Sequence, residues 1–209
     1  LALTRREALY RRAAADYRKG GFNPGALDVY MRLLDEFRDS RYRSVILFEV
    51  ARTYSDLYDF DGAIEYFNRN ISEFSAGGGR PEGQNVPETK FELAQVLLLR
   101  NRPEVTKGGK VVHKSDREQA IELLEGLQQH PNVDPRSSLW KRALYASGIE
   151  HIKAGQRETG ERKLLIALER FSSDPLALSA IELLGERLFS EKDYKRARKV
   201  FEKAQYVLL

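Results

Sequence analysis

The sequence predicts an all-α protein, an α-solenoid of about five helix-turn-helix units, and three observations carry that expectation. The first is periodicity. Gly25-Ala26-Leu27, Gly62-Ala63-Ile64, Gln119-Ala120-Ile121 and Arg196-Ala197-Arg198 each open a run with apolar residues at helical spacing, and a degenerate copy sits at Thr159-Gly160-Glu161. The steps between them are 37, 57, 40 and 37 residues, and self-similarity at such a period marks stacked supersecondary units. The second is a small residue twelve positions earlier: Ala14 before Ala26, Ala51 before Ala63, Gly148 before Gly160 and Gly185 before Ala197. Small side chains there let two helices approach closely. The third is a set of repeated helix-start signals, which are harder to obtain by chance than any one alone.

Taken in order, the units span about 4–38, 41–75, 87–131, 135–172 and 175–209. In the first, Thr4 and Glu7 are spaced as a capping box, a helix runs from Arg5 to Lys19, and Gly20-Gly21 ends it. Asn23 then caps a second helix with Pro24 at its first position, where the missing N–H costs nothing. The second unit turns at Asp59 to Gly62. In the third, Pro87 starts one helix, and Ser115 with Glu118 caps the other. The fourth opens with Asp134-Pro135 and the fifth with Asp174-Pro175. A bulky residue follows the small one of the first helix by three positions (Tyr17, Tyr54, His151, Leu188). Another follows the marker of the second helix by four (Tyr30, Phe67, Leu124, Leu164, Phe201), and these fill the space between helices.

The order small residue, aromatic, alanine, aromatic resembles the tetratricopeptide repeat family over nearly the whole chain. The match is strongest in the second unit, with Ala51, Tyr54, Ala63 and Phe67. The fourth unit departs from it with His151 and Gly160, and the third with Leu97 in place of the aromatic. The resemblance implies a single right-handed superhelical domain over residues 1–209 that holds a partner on its concave face. The 37-residue step and the joins Phe37-Arg-Asp-Ser-Arg-Tyr42 and Phe74-Ser75 are similar to bacterial cell-envelope repeats of the outer-membrane-assembly lipoprotein and Tol-Pal-associated types. That similarity favours periplasm over cytoplasm, although longer repeats also occur in cytoplasmic scaffolds.

In a superhelix of this family the inner wall comes mainly from the first helix of each unit. The residues this places on the partner-binding face are Arg11, Arg18, Phe48, Arg52, Phe91, Gln95, Arg142, Tyr145 and Ile149. Its basic members suit acidic side chains or a terminal carboxylate, and its aromatic ones offer large contact area with few rotors to freeze. Packing against neighbouring helices is an equal alternative for Phe48, Phe91 and Tyr145. The Lys and Asn clamp of chaperone-binding members has no match, since Arg11, Ala15 and Glu49 stand at those places.

Two insertions interrupt the period, at 75–86 and 101–115. Ala76-Gly-Gly-Gly-Arg-Pro-Glu-Gly83 has linker chemistry, and a phosphate-binding loop would need a preceding strand and a Lys-Ser/Thr helix start. Val105-Thr-Lys-Gly-Gly-Lys-Val-Val112 places β-formers on both sides of Gly108-Gly109. It reads either as a small hairpin or as a mobile loop, because two strands alone are marginally stable. As the least generic part of the chain it is a candidate partner contact.

Composition narrows the chemistry. There is no cysteine among the 209 residues, so disulfides and thiolate chemistry are excluded. The apolar runs Val96–Leu99 and Leu164–Leu168 are far shorter than the roughly 20 residues a membrane span needs. His113, His130 and His151 share no ligand spacing, and no nucleophile or phosphate-loop motif occurs, so no catalytic residue, metal or cofactor is expected. The net charge of +4 comes from 35 basic and 31 acidic residues that interleave, as in Arg117-Glu118, which suits a solvated surface better than a polyanion stripe. The reading is a non-catalytic protein- or peptide-binding scaffold; nucleic-acid binding and catalysis rank lower. The alternative is a self-assembly module packing through the apolar end Tyr206, Val207, Leu208 and Leu209. That end, and a start at Leu1, suggest a piece of a larger protein.

Overall fold

The computed structural model describes residues 2–75 and 86–205, and contacts divide the chain into two compact units at Asp116 and Arg117. The fold is all-α with one two-stranded antiparallel sheet, of the solenoid class that the periodicity predicts. Most of the first insertion and the end Tyr206–Leu209 lie outside the described residues. No described helix is long and apolar enough to cross a membrane.

The first unit contains α1 (Ala2–Lys19), α2 (Asn23–Glu36), α3 (Arg43–Asp56), α4 (Phe60–Phe74), α5 (Val86–Arg100), β1 (Val105–Lys107) and β2 (Lys110–His113). The second contains α6 (Asp116–Gln128, whose first residue closes the first unit), α7 (Ser138–Lys153), α8 (Arg157–Arg170), α9 (Leu176–Ser190) and α10 (Tyr194–Phe201). A short 3-10 turn, Glu202–Ala204, follows. Helices α1 and α2, α3 and α4, α7 and α8, and α9 and α10 pack as sequential pairs.

The helix ends show which local signals act. Asp59 accepts from the Gly62 N–H at 3.0 Å and Asp193 from the Arg196 N–H at 3.1 Å, satisfying orphan donors of the first turn. Gly21, at φ 78°, ends α1 as expected. Three expectations are corrected. Helix α1 already includes Ala2, so Thr4 lies inside it rather than at its cap, and Glu7 instead accepts from the Ser40 hydroxyl. Phe22, not Asn23, precedes α2, with no side-chain capping bond. Ser137 caps α7 through the Trp140 N–H at 3.2 Å, while Asp134 holds the preceding turn through the Arg136 N–H at 2.8 Å.

The paired small residues sit where the helices cross. Ala14, Ala26, Ala51 and Ala63 have no exposed surface. A methyl group on Gly160 would stand 2.7 Å from the Gly148 carbonyl oxygen and 2.8 Å from the Ile152 nitrogen, so α7 and α8 approach at backbone distance. On Gly185 it would stand 2.4 Å from the Phe201 ring. Around these crossings Phe67, Leu124, Leu164 and Leu188 are buried as predicted and buried His151 fills the bulky position of the degenerate fourth repeat, whereas Tyr17 and Phe201, expected to fill the same kind of space, are exposed. The His151 ring nitrogens face Glu125 at 2.9 Å and the Gln156 amide oxygen.

Beyond α5, the chain leaves through Asn101, at φ 51°, and returns to α6 at Asp116. The two ends of this insertion are pinned to each other. The Arg102 N–H donates to Asp116 at 2.8 Å and the Asp116 N–H donates to the Arg102 carbonyl at 3.0 Å. Arg100 holds the same carboxylate with two bonds of 2.7 and 2.9 Å, and both arginines reach Asp61 on α4 at 2.6 Å. Burial pushes the Asp116 carboxyl up, but the bonds from Arg100 and Arg102 outweigh it and hold it below the usual carboxylate range.

Gly160→Ala should lower stability by about 1–3 kcal/mol, as overpacking does. Gly126→Ala, on α6 with nothing within 4 Å of the added methyl group, should raise it by about 0.5–1 kcal/mol. Urea unfolding of both variants checks the pair. Because the folded state depresses the Asp116 pKa, its contribution is complete above the unfolded value near pH 4 and disappears as pH falls through the lower folded value. Asp116→Asn should therefore cost about 1–3 kcal/mol at neutral pH, since Arg100 keeps its bond to Asp61, and flatten the acid limb of a stability–pH curve.

Candidate functional site

The first unit carries a groove of about 510 Å³ lined by α1, α2 and α3. Its walls come from residues one or two helical turns apart on each helix, Arg11, Ala15, Arg18 and Lys19 on α1 and Val45, Ile46, Glu49 and Asp56 on α3, with Tyr30 of α2 completing the lining. Ala15 leaves the α1 wall low. Tyr30 is buried, and burial, reinforced by Glu49 and opposed by Arg18 and Arg52, pushes its hydroxyl pKa up to about 12. The lining thus offers an apolar rib framed by charged side chains.

The two arginines in the groove differ in how fully they are engaged. Arg18 donates two bonds to Asp56, at 2.9 and 3.0 Å, and one to Glu49, tying α1 to α3. Burial works against its charge, but Asp56 and Glu49 outweigh it and hold the guanidinium more firmly protonated than usual. Arg11 instead stands over the Tyr42 ring, its guanidinium carbon 3.5 Å from the centroid, in a cation–π contact. The Glu7 carboxylate, one turn away on the same helix, is 4.0 Å from the Arg11 Nε. That Nε is the one buried side-chain nitrogen or oxygen among the described residues without a hydrogen-bond partner. An unmet donor of this kind carries a desolvation cost that an incoming acceptor would remove.

The residues expected on the partner-binding face separate into groups. Arg11 and Arg18 share the groove. Phe48 and Arg52 are neighbours on α3: Phe48 is half-buried, edge-on to Phe67 at 5.8 Å, and the exposed Arg52 stands 5.8 Å from the Phe48 ring centroid. On α5, Phe91 is buried and Gln95 half-buried. Arg142, Tyr145 and Ile149 belong to α7 in the second unit, where Arg142 and Ile149 are half-buried. Tyr145 is a core side chain, 1% exposed, with its hydroxyl 3.2 Å from the Ala167 carbonyl and 3.1 Å from that of Phe171. Burial, aided by Asp174, pushes its pKa up to about 12. For Phe91 and Tyr145 the packing alternative is therefore the one realised, because their rings fill space between helices.

Sequence reasoning missed Tyr30, Val45 and Asp56 as groove residues. The signal for Asp56 was present: it follows Arg18 by 38 residues, close to one repeat, as Glu73 follows Arg43 by 30 and Asp174 follows Lys141 by 33. Among the described residues no cluster of three or more His, Asp or Glu side chains is placed to hold a metal ion.

No family model matches the chain, and no curated protein matches it. Solved structures do. The chain is similar to MamA from Desulfovibrio magneticus RS-1 (residue 41 to the end) at 17% identity and TM-score 0.69, covering 96% of this chain and 94% of that one. A second MamA structure matches at 16% identity and TM-score 0.68, covering 95% and 89%. A putative kinesin light chain from Podosopora anserina, with nearly identical TPR-like repeats, matches at 15% and 0.68, covering 97% and 95%. At these identities the similarity establishes the tetratricopeptide-like fold.

Arg18→Met should destabilise the first unit by about 1–3 kcal/mol, since it leaves Glu49 and Asp56 without their shared donor. Arg52→Ala, at an exposed position, should change stability by no more than about 0.5 kcal/mol. Thermal unfolding of the two variants beside wild type measures the difference.

Proposed function

We propose that the chain is a non-catalytic scaffold that binds a protein or peptide segment in the groove between α1 and α3, and that the segment presents an acidic group to Arg11. The observation that carries this reading is the Arg11 guanidinium, held over Tyr42 with a buried N–H unmet, beside the apolar rib of a groove framed by charged side chains. A carboxylate is the acceptor best matched to a planar guanidinium. Exposed Val45 and buried Ile46 supply apolar contact beside it, and Lys19, Phe48 and Arg52 extend the surface along α1 and α3.

The groove carboxylates support binding over acid–base chemistry, because Glu49 and Asp56 are both engaged by Arg18. The tetratricopeptide-like fold of the MamA and kinesin light chain structures supports a protein-interaction role. We read the compartment from the 37-residue step and the phenylalanine-closed joins, which favour an envelope-type repeat.

Pull-downs from the source organism with wild type and with Arg11, Phe48 and Arg52 each changed to alanine test the site. Recovery of the partner should fall about tenfold or more for Arg11→Ala, a loss of about 1.4 kcal/mol or greater. It should also fall as salt is raised, since the groove contact is ionic. Equal recovery by all variants would move the site away from α1 and α3.

A further inference from the structure

The hairpin formed by β1 and β2 is built well and packed poorly. Gly108 and Gly109, at φ 59° and 75°, supply the two left-handed residues that a tight two-residue hairpin turn requires. The pairing sets Lys107 opposite Lys110, Thr106 opposite Val111 and Val105 opposite His113, with an irregularity between the last two pairs. Yet every residue of both strands is exposed, and Val105, Val111 and Val112 are each about half accessible. Two strands with no packed face are marginal in water, and like charges directly opposite each other weaken them further. The neck does not share this weakness, since Arg100, Arg102, Asp61 and Asp116 lock it. A rigid base thus projects an element whose own residues leave it under-stabilised.

The geometry points to what completes it. Lys107 and Lys110 close the two-residue turn, so in an antiparallel ladder the next pair, Thr106 and Val111, turns its backbone N–H and C=O groups outward. Those are free edges. Side chains alternate between faces, which puts Lys107 and Lys110 on one face and Thr106 and Val111 on the other. A strand added beside β2 would meet Lys110, with Lys107 behind it, on one face and Val111 on the other, up to the irregularity at Val112. We propose that the hairpin accepts, as a third strand along β2, an extended segment of a partner protein in which acidic residues alternate with apolar ones. Main-chain bonds to the Val111 edge supply affinity and the lysines supply selection, the general mode of strand addition. A second copy of the hairpin is a poor occupant, because edge pairing would bring lysines against lysines, the device by which edge strands avoid self-association.

A synthetic peptide alternating glutamate and valine, titrated against the full chain, tests this. The controls are a lysine-for-glutamate peptide and the Lys107→Glu/Lys110→Glu double variant, whose substitutions lie at exposed positions. The expected result is saturable binding of the acidic peptide that slows amide exchange at Val111, at least tenfold weaker binding by the double variant, and none of the lysine peptide. Failure of the acidic peptide to bind wild type, equal binding by the double variant, or no slowing at Val111 would overturn the proposal. So would concentration-dependent self-association that the double variant loses, which would make the occupant a second copy. Charge-dependent binding to vesicles of phosphatidylserine and phosphatidylcholine in equal parts, with none of the peptide, would also overturn it, identifying a membrane surface. Amide exchange that slows at Val111 and not at Val45 assigns this binding to the hairpin and not to the α1–α3 groove; slowing at Val45 alone would overturn the proposal.

Discussion

The constraint on which the rest of the structure depends is the closeness of the helix crossings. At Gly148 and Gly160 there is no room for a methyl group, and at Ala14, Ala26, Ala51 and Ala63 there is room for one that is then wholly enclosed. Close backbones give each pair a fixed crossing, and a fixed crossing decides which side chains of the first helix are covered by the second. The aromatic positions follow from it. Tyr54 stacks on Tyr66 at 5.4 Å and Phe48 meets Phe67 at 5.8 Å because the small residues bring α3 and α4 to that separation.

The charges, which interleave along the sequence, become ordered once the helices pack. Arg18 with Asp56, Arg43 with Glu73, Arg100 with Asp61 and Lys141 with Asp174 are pairs separated by 30 to 39 residues, roughly one repeat. Salt bridges on a water-exposed face contribute little individually. Their effect here is selective: carboxylates that face a neighbouring helix are neutralised, and cations without such a partner are left to meet something else. Arg11 is the clearest case, with aromatic support below it and an unmet buried N–H. Arg18, two helical turns further along the same groove, is instead held by Glu49 and Asp56.

The insertion after α5 follows a different rule. Its neck is a polar cluster around the buried Asp116 carboxylate, whose removal would leave Arg100 with Asp61 alone, whereas its tip has no buried side chain at all. Stability concentrated at the base and absent from the tip suits an element that gains its packing from another molecule. The two candidate surfaces of the first unit therefore differ in kind. The groove offers shape and a fixed cation; the hairpin offers free backbone edges.

By itself the sequence determined the helix pairs, their small-residue crossings, the turn at Asp59 to Gly62, the stop at Gly20-Gly21, and the alternation of β-formers around Gly108-Gly109. These are local: they rest on residues a few positions apart, or on spacings that recur. It also placed Arg11 and Arg18 together on one face of a helix. Only the tertiary structure decided that Tyr145 and Phe91 are core, that Ser137 rather than Asp134 caps α7, and that Arg18 is tied across to α3 while the Arg11 Nε is left without a hydrogen-bond partner. Each of those outcomes depends on what a different helix brings within a few ångströms, and a one-dimensional pattern carries the period of such contacts without carrying their partners.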